Sequence, residues 1–358
     1  MTEEQTVQLL QDLVRRQTDS GDHAAQEALQ GFVADLVSAS ARNVRVRRSG
    51  PGEYPWTLLT AGAGDGPVLL FACHVDTVPV GEPARWSQAP FAARIADGRL
   101  YGRGSTDMKG GLAAAVAALL EADRLGRNVG LLMTADEEIG SLGAPDAAAG
   151  LAGLDLGAVI IPEATQNRIV LGHRGALWLR VTAEGLAAHG STPERGVNAA
   201  LKLADVLVRA GKELPLGADG FLGPETWNLG TFSSGTAPNI VPDAAEAVID
   251  MRIAGEGTTL LQWWQSQPEI SGVDVLLALP ALRSSVDGIE ALAAVEVDSS
   301  PAPYFTDGAV LAQAAPGVPV LVWGPGSPAQ MHAVDEFLEL AALEDAARMF
   351  RALVGRWS

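Results

Sequence analysis

The apolar run Val68-Leu-Leu-Phe-Ala-Cys73 ends in His74-Val75-Asp76. A strand over that run delivers an imidazole and a carboxylate to one face, because side chains alternate in extended backbone. The carboxylate can then accept one ring N–H, fix the tautomer and leave the other nitrogen for a metal ion. Comparable groups stand at the ends of other apolar segments. Asp107 sits in the turn Tyr101-Gly-Arg-Gly-Ser-Thr-Asp-Met-Lys-Gly-Gly111, and Gly130–Ala135 runs into Asp136-Glu137-Glu138. Leu156–Ile161 runs into Pro162-Glu163, and Val318–Trp323 leads through a Gly/Pro-rich turn to His332. The C-terminal ends of strands are where open α/β sheets bind ligands.

Each group alone has an ordinary explanation: a tight turn at Asp107, a solvated loop at Glu137-Glu138, a helix N-terminal residue at His332. Together they supply what a dinuclear zinc site needs. Two dications about 3.5–4 Å apart require a bridging carboxylate and terminal nitrogen and oxygen ligands. Asp107 can bridge, His74 and Glu163 can complete one site, and Glu138 and His332 the other. Three carboxylates and a hydroxide balance two dications, and a neutral cluster tolerates partial burial. Glu137 is then free to act as a base on the attacking water, with Asp76 behind His74. Cobalt or manganese would suit the same donors. Competing chemistries lack their motifs: there is no third glycine for a dinucleotide loop, no Gly-Lys-Ser/Thr, no Gly-x-Ser-x-Gly elbow and no His-Glu-x-x-His helix.

The elements that must carry these residues follow from periodicity. Residues 3–16 and 24–39 read as helices, 55–60 and 67–73 as strands, and Gly111–Leu125 as an Ala/Leu helix closed by Gly126. With the strands Gly130–Ala135 and Leu156–Ile161, this alternation predicts a layered α/β domain with a largely parallel sheet. From about Gly175 the rhythm changes to strand 175–185, helix 197–214, strands 225–235 and 246–254, helix 258–267 and strand 273–280. That is βαββαβ, the ferredoxin-like order. The α/β rhythm resumes after about residue 284, with strand 318–323 and a closing helix 338–354. The reading is therefore a catalytic domain of residues 1–173 and 284–358, interrupted by a smaller domain of residues 174–283.

Charge and cysteine usage narrow the partners. The 25 Lys+Arg against 43 Asp+Glu give a net charge of −18, a surface that repels nucleic acid and anionic membrane. The single cysteine, Cys73, precludes an internal disulfide and fits a reducing cytoplasm. The N-terminus is acidic and amphipathic, without the features of a signal peptide, and no apolar run approaches a membrane span. A cytoplasmic protein is expected.

Nine segments in this order resemble one known family: HVDTVP (74–79), YGRGSTDMKGG (101–111), TADEEIG (134–140), PEAT (162–165), GHRG (172–175), AAHGSTPERGVNA (187–199), APNIVPD (237–243), DMR (250–252) and GPGSPAQMHAVDEF (324–337). They are similar to the dizinc metallopeptidase family of acetylornithine deacetylase, succinyl-diaminopimelate desuccinylase, aminoacylase and carboxypeptidase G. The resemblance implies two zinc ions per subunit on His74, Asp107, Glu138, Glu163 and His332, a general base at Glu137 and an orienting carboxylate at Asp76. It also implies a cis peptide after Asp107. The inserted domain would serve as a lid and as the interface of a homodimer, with His189 reaching the partner's active site to polarise the scissile carbonyl. Asn239, Arg252 and Arg174 are the implied substrate contacts. Glu at 163 and the tail from 324 look most like the acetylornithine deacetylase branch, so the expected substrate is a small N-acetylated amino acid such as acetylornithine, acetyl-lysine or acetylcitrulline. Desuccinylation of succinyl-diaminopimelate and peptide hydrolysis are the alternatives; a non-catalytic binding relative would be expected to have lost one of these seven groups.

Overall fold

In the computed structural model, which describes residues 1–62, 66–286, 289 and 295–357, the chain begins with α1 (Glu3–Val14) and α2 (His23–Ser40). Thr2 and Gln5 form a reciprocal capping box on α1, and the Asp22 carboxylate caps α2 by accepting from the Ala25 N–H. Then follow β1 (Arg45–Arg48), β2 (Thr57–Ala61), β3 (Val68–His74), α3 (Gly110–Leu125), β4 (Val129–Thr134), α4 (Ala144–Ala149), β5 (Leu156–Ala164) and the two-residue β6 (Ile169–Val170). The next stretch holds β7 (Gly175–Glu184), α5 (Ala199–Glu213), β8 (Thr226–Ser234), β9 (Ala244–Ile253), α6 (Thr258–Gln265) and β10 (Gly272–Leu279). The chain closes through β11 (Val297–Asp298), α7 (Gly308–Ala314), β12 (Val320–Gly324) and α8 (Leu340–Arg356).

These elements form two compact units. One comprises Met1–Gly172, Leu282–Ala302 and Thr306–Ser358; the other comprises His173–Ala281 and Pro303–Phe305. Part of the segment where the α/β rhythm was expected to resume, residues 287–288 and 290–294, lies outside the described residues.

The first unit is built on an eight-stranded mixed sheet in the order β1-β2-β4-β3-β5-β12-β6-β11. Its centre is parallel (β4 with β3, β3 with β5, β5 with β12), while β1 and β2 run antiparallel at one edge. The central strands are buried along nearly their whole length, which is why they read as unbroken apolar runs rather than alternating ones. α3 is alanine-rich for a steric reason. It packs against α1, α8 and the sheet, and a Cβ added at Gly111 would lie 2.0 Å from the Pro162 carbonyl oxygen. Gly126, left-handed at φ 69°, ends the helix. Leu112, Phe71 and Phe350 are fully buried here, each contributing about 1.5–3 kcal/mol of apolar burial.

The second unit is a four-stranded antiparallel sheet in the order β8-β9-β7-β10, the ferredoxin-like arrangement. β9 alternates strictly, with Ala245, Ala247, Ile249, Met251 and Ile253 buried. Together with Leu203, Val206, Leu260 and Trp264 from α5 and α6 they make its core. The opposite face of β9 carries Glu246, Asp250 and Arg252.

Three features of the first unit have no counterpart in the sequence pattern. α4 and α7 are short helices of 6 and 7 residues, and Arg94–Ala96, Arg99–Tyr101 and Phe337–Glu339 form a separate three-stranded ribbon. Strands of three residues are too short for alternation to register.

Candidate metal centre

β3 ends at His74, and the chain turns so that Asp76 reaches back beneath the ring. His74 Nδ1 lies 3.3 Å from Asp76 Oδ1 and 3.1 Å from the Asp76 carbonyl oxygen. The other ring nitrogen, Nε2, faces Asp107 Oδ1 at 3.2 Å and Glu163 Oε1 at 3.1 Å. Glu163 stands within the last residues of β5, beside β3 in the sheet. On the other side of Asp107, His332 Nε2 lies 3.3 Å from Oδ2 and 2.8 Å from Glu138 Oε2. The two oxygens of Asp107 thus face two different histidine–glutamate pairs. The Asp107–Met108 peptide is cis, as expected.

Asp76 has a second task. Its Oδ1 accepts from the Glu137 N–H at 3.1 Å, and its Oδ2 accepts from the Glu138 N–H at 3.2 Å and the Ser20 hydroxyl at 2.8 Å. One carboxylate therefore orients the His74 ring and the turn that carries Glu137 and Glu138. That turn starts at Asp136, a left-handed residue (φ 54°). The Asp136 carboxylate accepts from Gly21 N–H at 2.8 Å and Gln26 Nε2 at 2.7 Å, and pairs with His23 Nε2 at 2.7 Å.

The electrostatics ask for positive charge. Glu138 and Glu163 are pushed up to about 7 and about 8, first by burial and then by the negative charge of Asp107. Burial also raises Glu137 well above the usual carboxylate range, helped by Asp307, Glu138 and Glu163. Burial alone would lower His74, but Asp107, Asp76 and Glu163 raise it well above its ordinary value. His332 is raised to about 10 by hydrogen bonds to Asp107 and Glu138. Left to itself, such a cluster takes up protons; cations in the centre would displace them. Glu138 Oε1 and Glu163 Oε2 are buried without a hydrogen-bond donor among the described residues, which is costly unless something else binds them. His74, Asp107 and Glu138 each offer one ligand atom within 4.8 Å of the others. Imidazole and carboxylate around orphaned oxygens fit a hard or borderline divalent ion.

The remaining expected site residues belong to the second unit. His189 and Asn239 are brought together at a loop tip, where the Gly190 N–H donates to the Asn239 carbonyl at 2.8 Å, and both side chains are exposed. His189 Nδ1 meets the Ser191 hydroxyl at 2.7 Å. Arg252 is engaged within its own unit, 3.1 Å from Asp250 Oδ1 and over the Phe305 ring. Arg174 donates to the Pro224 carbonyl at 2.6 Å.

Sequence reasoning missed Ser20, Asp307, Arg103 and Glu336 and gave Asp136 no role. Asp307, buried and accepting from the Thr134 hydroxyl at 2.6 Å, is raised to about 6 by burial. Its only signal in the sequence is an acid just before a short helix. Glu336 lies four residues after His332, inside a segment already marked for that histidine.

Histidines and carboxylates gathered around orphaned oxygens make a site that could hold a metal ion. Residues 70–356 match the sequence profile of peptidase family M20/M25/M40, and the chain belongs to that family. It is 31% identical over 392 residues to the succinyl-diaminopimelate desuccinylase of Caulobacter sp. (strain K31), covering 98% of this chain and 96% of that protein. It is 30% identical over 361 residues to the acetylornithine deacetylase of Proteus mirabilis (strain HI4320), covering 94% and 92%. In fold it resembles the M20 metallo-carboxypeptidase Sso-CP2 of Sulfolobus solfataricus, with a TM-score of 0.81, 18% identity and coverage of 98% and 99%. The chain is a hydrolase acting on amide bonds. Among the described residues no helix is long and apolar enough to cross a membrane.

Proposed function

We propose that the chain removes the acyl group from an N-acylated diamino acid, using two divalent cations, zinc first among the candidates. His74, Glu163 and one oxygen of Asp107 would hold one; Glu138, His332 and the other oxygen of Asp107 would hold the second. The division of Asp107 between two histidine–glutamate pairs carries this reading. When bound, the cations supply Lewis acidity to the attacking water and the amide carbonyl.

Glu137 is the general base. It is 6% exposed and lies beside the centre without being needed as a ligand. Burial raises its proton affinity, which suits a group that takes a proton from water and returns it to the leaving amine. Asp76 keeps the His74 tautomer and the Glu137 turn in place. His189 is proposed to donate to the developing oxyanion from a second copy of the chain; with Nδ1 on Ser191, its Nε2 has no hydrogen-bond partner among the described residues. Asn239, Arg252 and Arg174 are proposed to contact the substrate's carboxylate or carbonyl oxygens.

A homodimer through the second unit is part of this reading. β8 is an edge strand whose Leu229 and Phe232 are 40% and 42% exposed, and α5 exposes Leu201 and Val208 at 69% and 64%. A free edge flanked by apolar side chains invites pairing with another copy.

The sequence pattern favoured an acetyl group. The Caulobacter desuccinylase, matched over nearly the whole of both chains, supports a succinyl group at least as well, and we take succinyl-diaminopimelate as the first substrate to test. Acetylornithine is the second, supported by the Proteus relative. Zinc- and cobalt-loaded protein should be assayed on succinyl-diaminopimelate, acetylornithine, acetyl-lysine, acetylcitrulline and dipeptides. Faster turnover of an acyl-diamino acid than of any dipeptide is expected. Equal or faster cleavage of dipeptides would overturn the deacylase reading.

A further inference from the structure

His332 is held differently from the other ligand candidates. His74 and Glu163 at strand ends and Asp107 in the turn before α3 are 2–3% exposed, whereas the His332 side chain is 51% exposed. Packing therefore does little to place it. Its backbone is left-handed (φ 61°), as is that of Asp335 (φ 59°), a conformation unfavourable for residues with a Cβ. Such a turn persists only when its surroundings hold it.

What holds it is a buried ion pair. Arg103 donates from Nη1 to Glu336 Oε2 at 2.7 Å and to the Ala333 carbonyl at 3.3 Å. Its Nη2 donates to the His332 carbonyl at 3.4 Å. Glu336 is fully buried. It accepts from the Gly104 N–H at 3.0 Å on Oε2, and from the Thr106 and Asp107 N–H groups at 2.8 and 3.1 Å on Oε1. The Asp335 carboxylate adds an anchor by accepting from the Ser87 N–H at 2.7 Å. One guanidinium–carboxylate pair thus ties the backbone of His332 to the backbone of Asp107. A planar fork suits this, because it reaches a carboxylate and neighbouring carbonyls at once.

We propose that Arg103 and Glu336 are a positioning pair that fixes the spacing between His332 and Asp107, and so sets the affinity of the outer cation site formed by Asp107, Glu138 and His332. The proposal rests on the two-cation reading above. Neither residue lies among the groups that face the centre; both act through the backbone of the residues that do. The inner site of His74, Glu163 and Asp107 shares only Asp107 with this device and takes its rigidity from the sheet. Removing Arg103 therefore separates the two sites.

The test is calorimetric titration of zinc into metal-free protein, with cobalt(II) absorption spectra as a signature of coordination geometry. Wild-type protein should take up two equivalents. Arg103→Met, of similar length but without donors, should weaken the second equivalent by about 10–100-fold, the range for groups that orient metal ligands. The first equivalent and its cobalt spectrum should be unchanged. Arg103→Lys keeps the charge on Glu336 but loses the fork, and should give an intermediate second affinity; it carries the test by the same criteria if the Met variant does not fold. Two equivalents in the wild type with an unmoved second constant in either folded variant would overturn the positioning role, as would equal weakening of both equivalents. Fewer than two equivalents in the wild type would overturn the two-cation reading, and this inference with it.

Discussion

Asp136 offers the sharpest test of how the turn that carries Glu137 and Glu138 is held. It is 1% exposed, left-handed at φ 54°, and immediately precedes Glu137 and Glu138. Its Oδ1 takes both main-chain and side-chain donors, from Gly21 N–H and Gln26 Nε2, while Oδ2 meets His23. Asp136→Ala removes the acceptor of the Gly21 N–H, but Gly21 is exposed and that donor can turn to water, so its loss costs about 0.5–1.5 kcal/mol. Gln26 is fully buried but keeps a second acceptor in the Asp19 carbonyl at 3.2 Å, so its loss sits near the low end, about 1 kcal/mol. His23 is 48% exposed and can rehydrate. Alanine is also less tolerant than aspartate of a left-handed backbone, adding about 1 kcal/mol. The sum is about 2.5–3.5 kcal/mol lost. Asp136→Asn keeps Oδ1 and the tolerance of φ, and turns an amide toward a histidine that can change tautomer; it should cost about 1 kcal/mol or less. Urea denaturation of the metal-free protein, fitted to as many transitions as calorimetry resolves, measures both. An alanine variant within about 0.5 kcal/mol of wild type, or an asparagine variant as damaged as the alanine one, would refute the reasoning.

Glu137→Gln should lower kcat by about 10²–10⁴-fold while the protein still binds its full complement of zinc; turnover near the wild-type rate would remove Glu137 as the base. Gly111→Ala places a Cβ 2.0 Å from the Pro162 carbonyl oxygen and 2.7 Å from Pro162 Cβ. It should destabilise by about 3 kcal/mol or more and weaken zinc binding, because Pro162 precedes Glu163; a thermal midpoint equal to wild type would contradict that packing. Burial, with the charge of Arg252, lowers His173 to about 4, so below its unfolded pKa of about 6.5 the unfolded chain binds a proton that the folded chain refuses. The stability this represents is complete above about pH 6.5 and lost as pH falls through about 4, up to about 3 kcal/mol; His173→Asn should flatten that part of the stability–pH curve, and an unchanged slope would refute it.

The long elements were legible because their apolar periodicity matches their burial. α3 was expected from Gly111 to Leu125 and runs from Gly110 to Leu125, and the strand expected over 67–73 is Val68–His74. The groups of the centre were legible for the same reason. A carboxylate or imidazole directly after a fully buried run has no packing role to explain it, so Glu163 and His74 stand out. The residues that hold them do not stand out. Asp136, Arg103 and Glu336 act through backbone N–H and carbonyl groups of loops, Ser20 through a hydroxyl on the Asp76 carboxylate, and a loop's hydrogen bonds leave no periodic trace in the chain. Left-handed Asp136 and His332 are invisible for a related reason. Glycine would have announced such a turn, but here tertiary bonds impose it on residues that do not prefer it.

This division has a consequence for how the centre is built. On the inner side, His74 and Glu163 come from neighbouring parallel strands, and their spacing is set by the sheet itself. On the outer side, Glu138 and His332 come from two turns that each start at a left-handed residue, and their 2.8 Å approach depends on buried carboxylates, Asp136 and Asp76 behind one and Glu336 behind the other. Asp107 belongs to both sides, with its side chain divided between them and its N–H on Glu336. Substitutions in the sheet core should therefore disturb both halves together, while substitutions among the loop carboxylates should act on the outer half. Glu137 rides on the same turn as Glu138, and the Asp76 carboxylate holds the N–H groups of both. A substitution that moves this turn moves Glu137 and Glu138 together, whereas one at Arg103 or Glu336 acts on the backbone of His332 and Asp107.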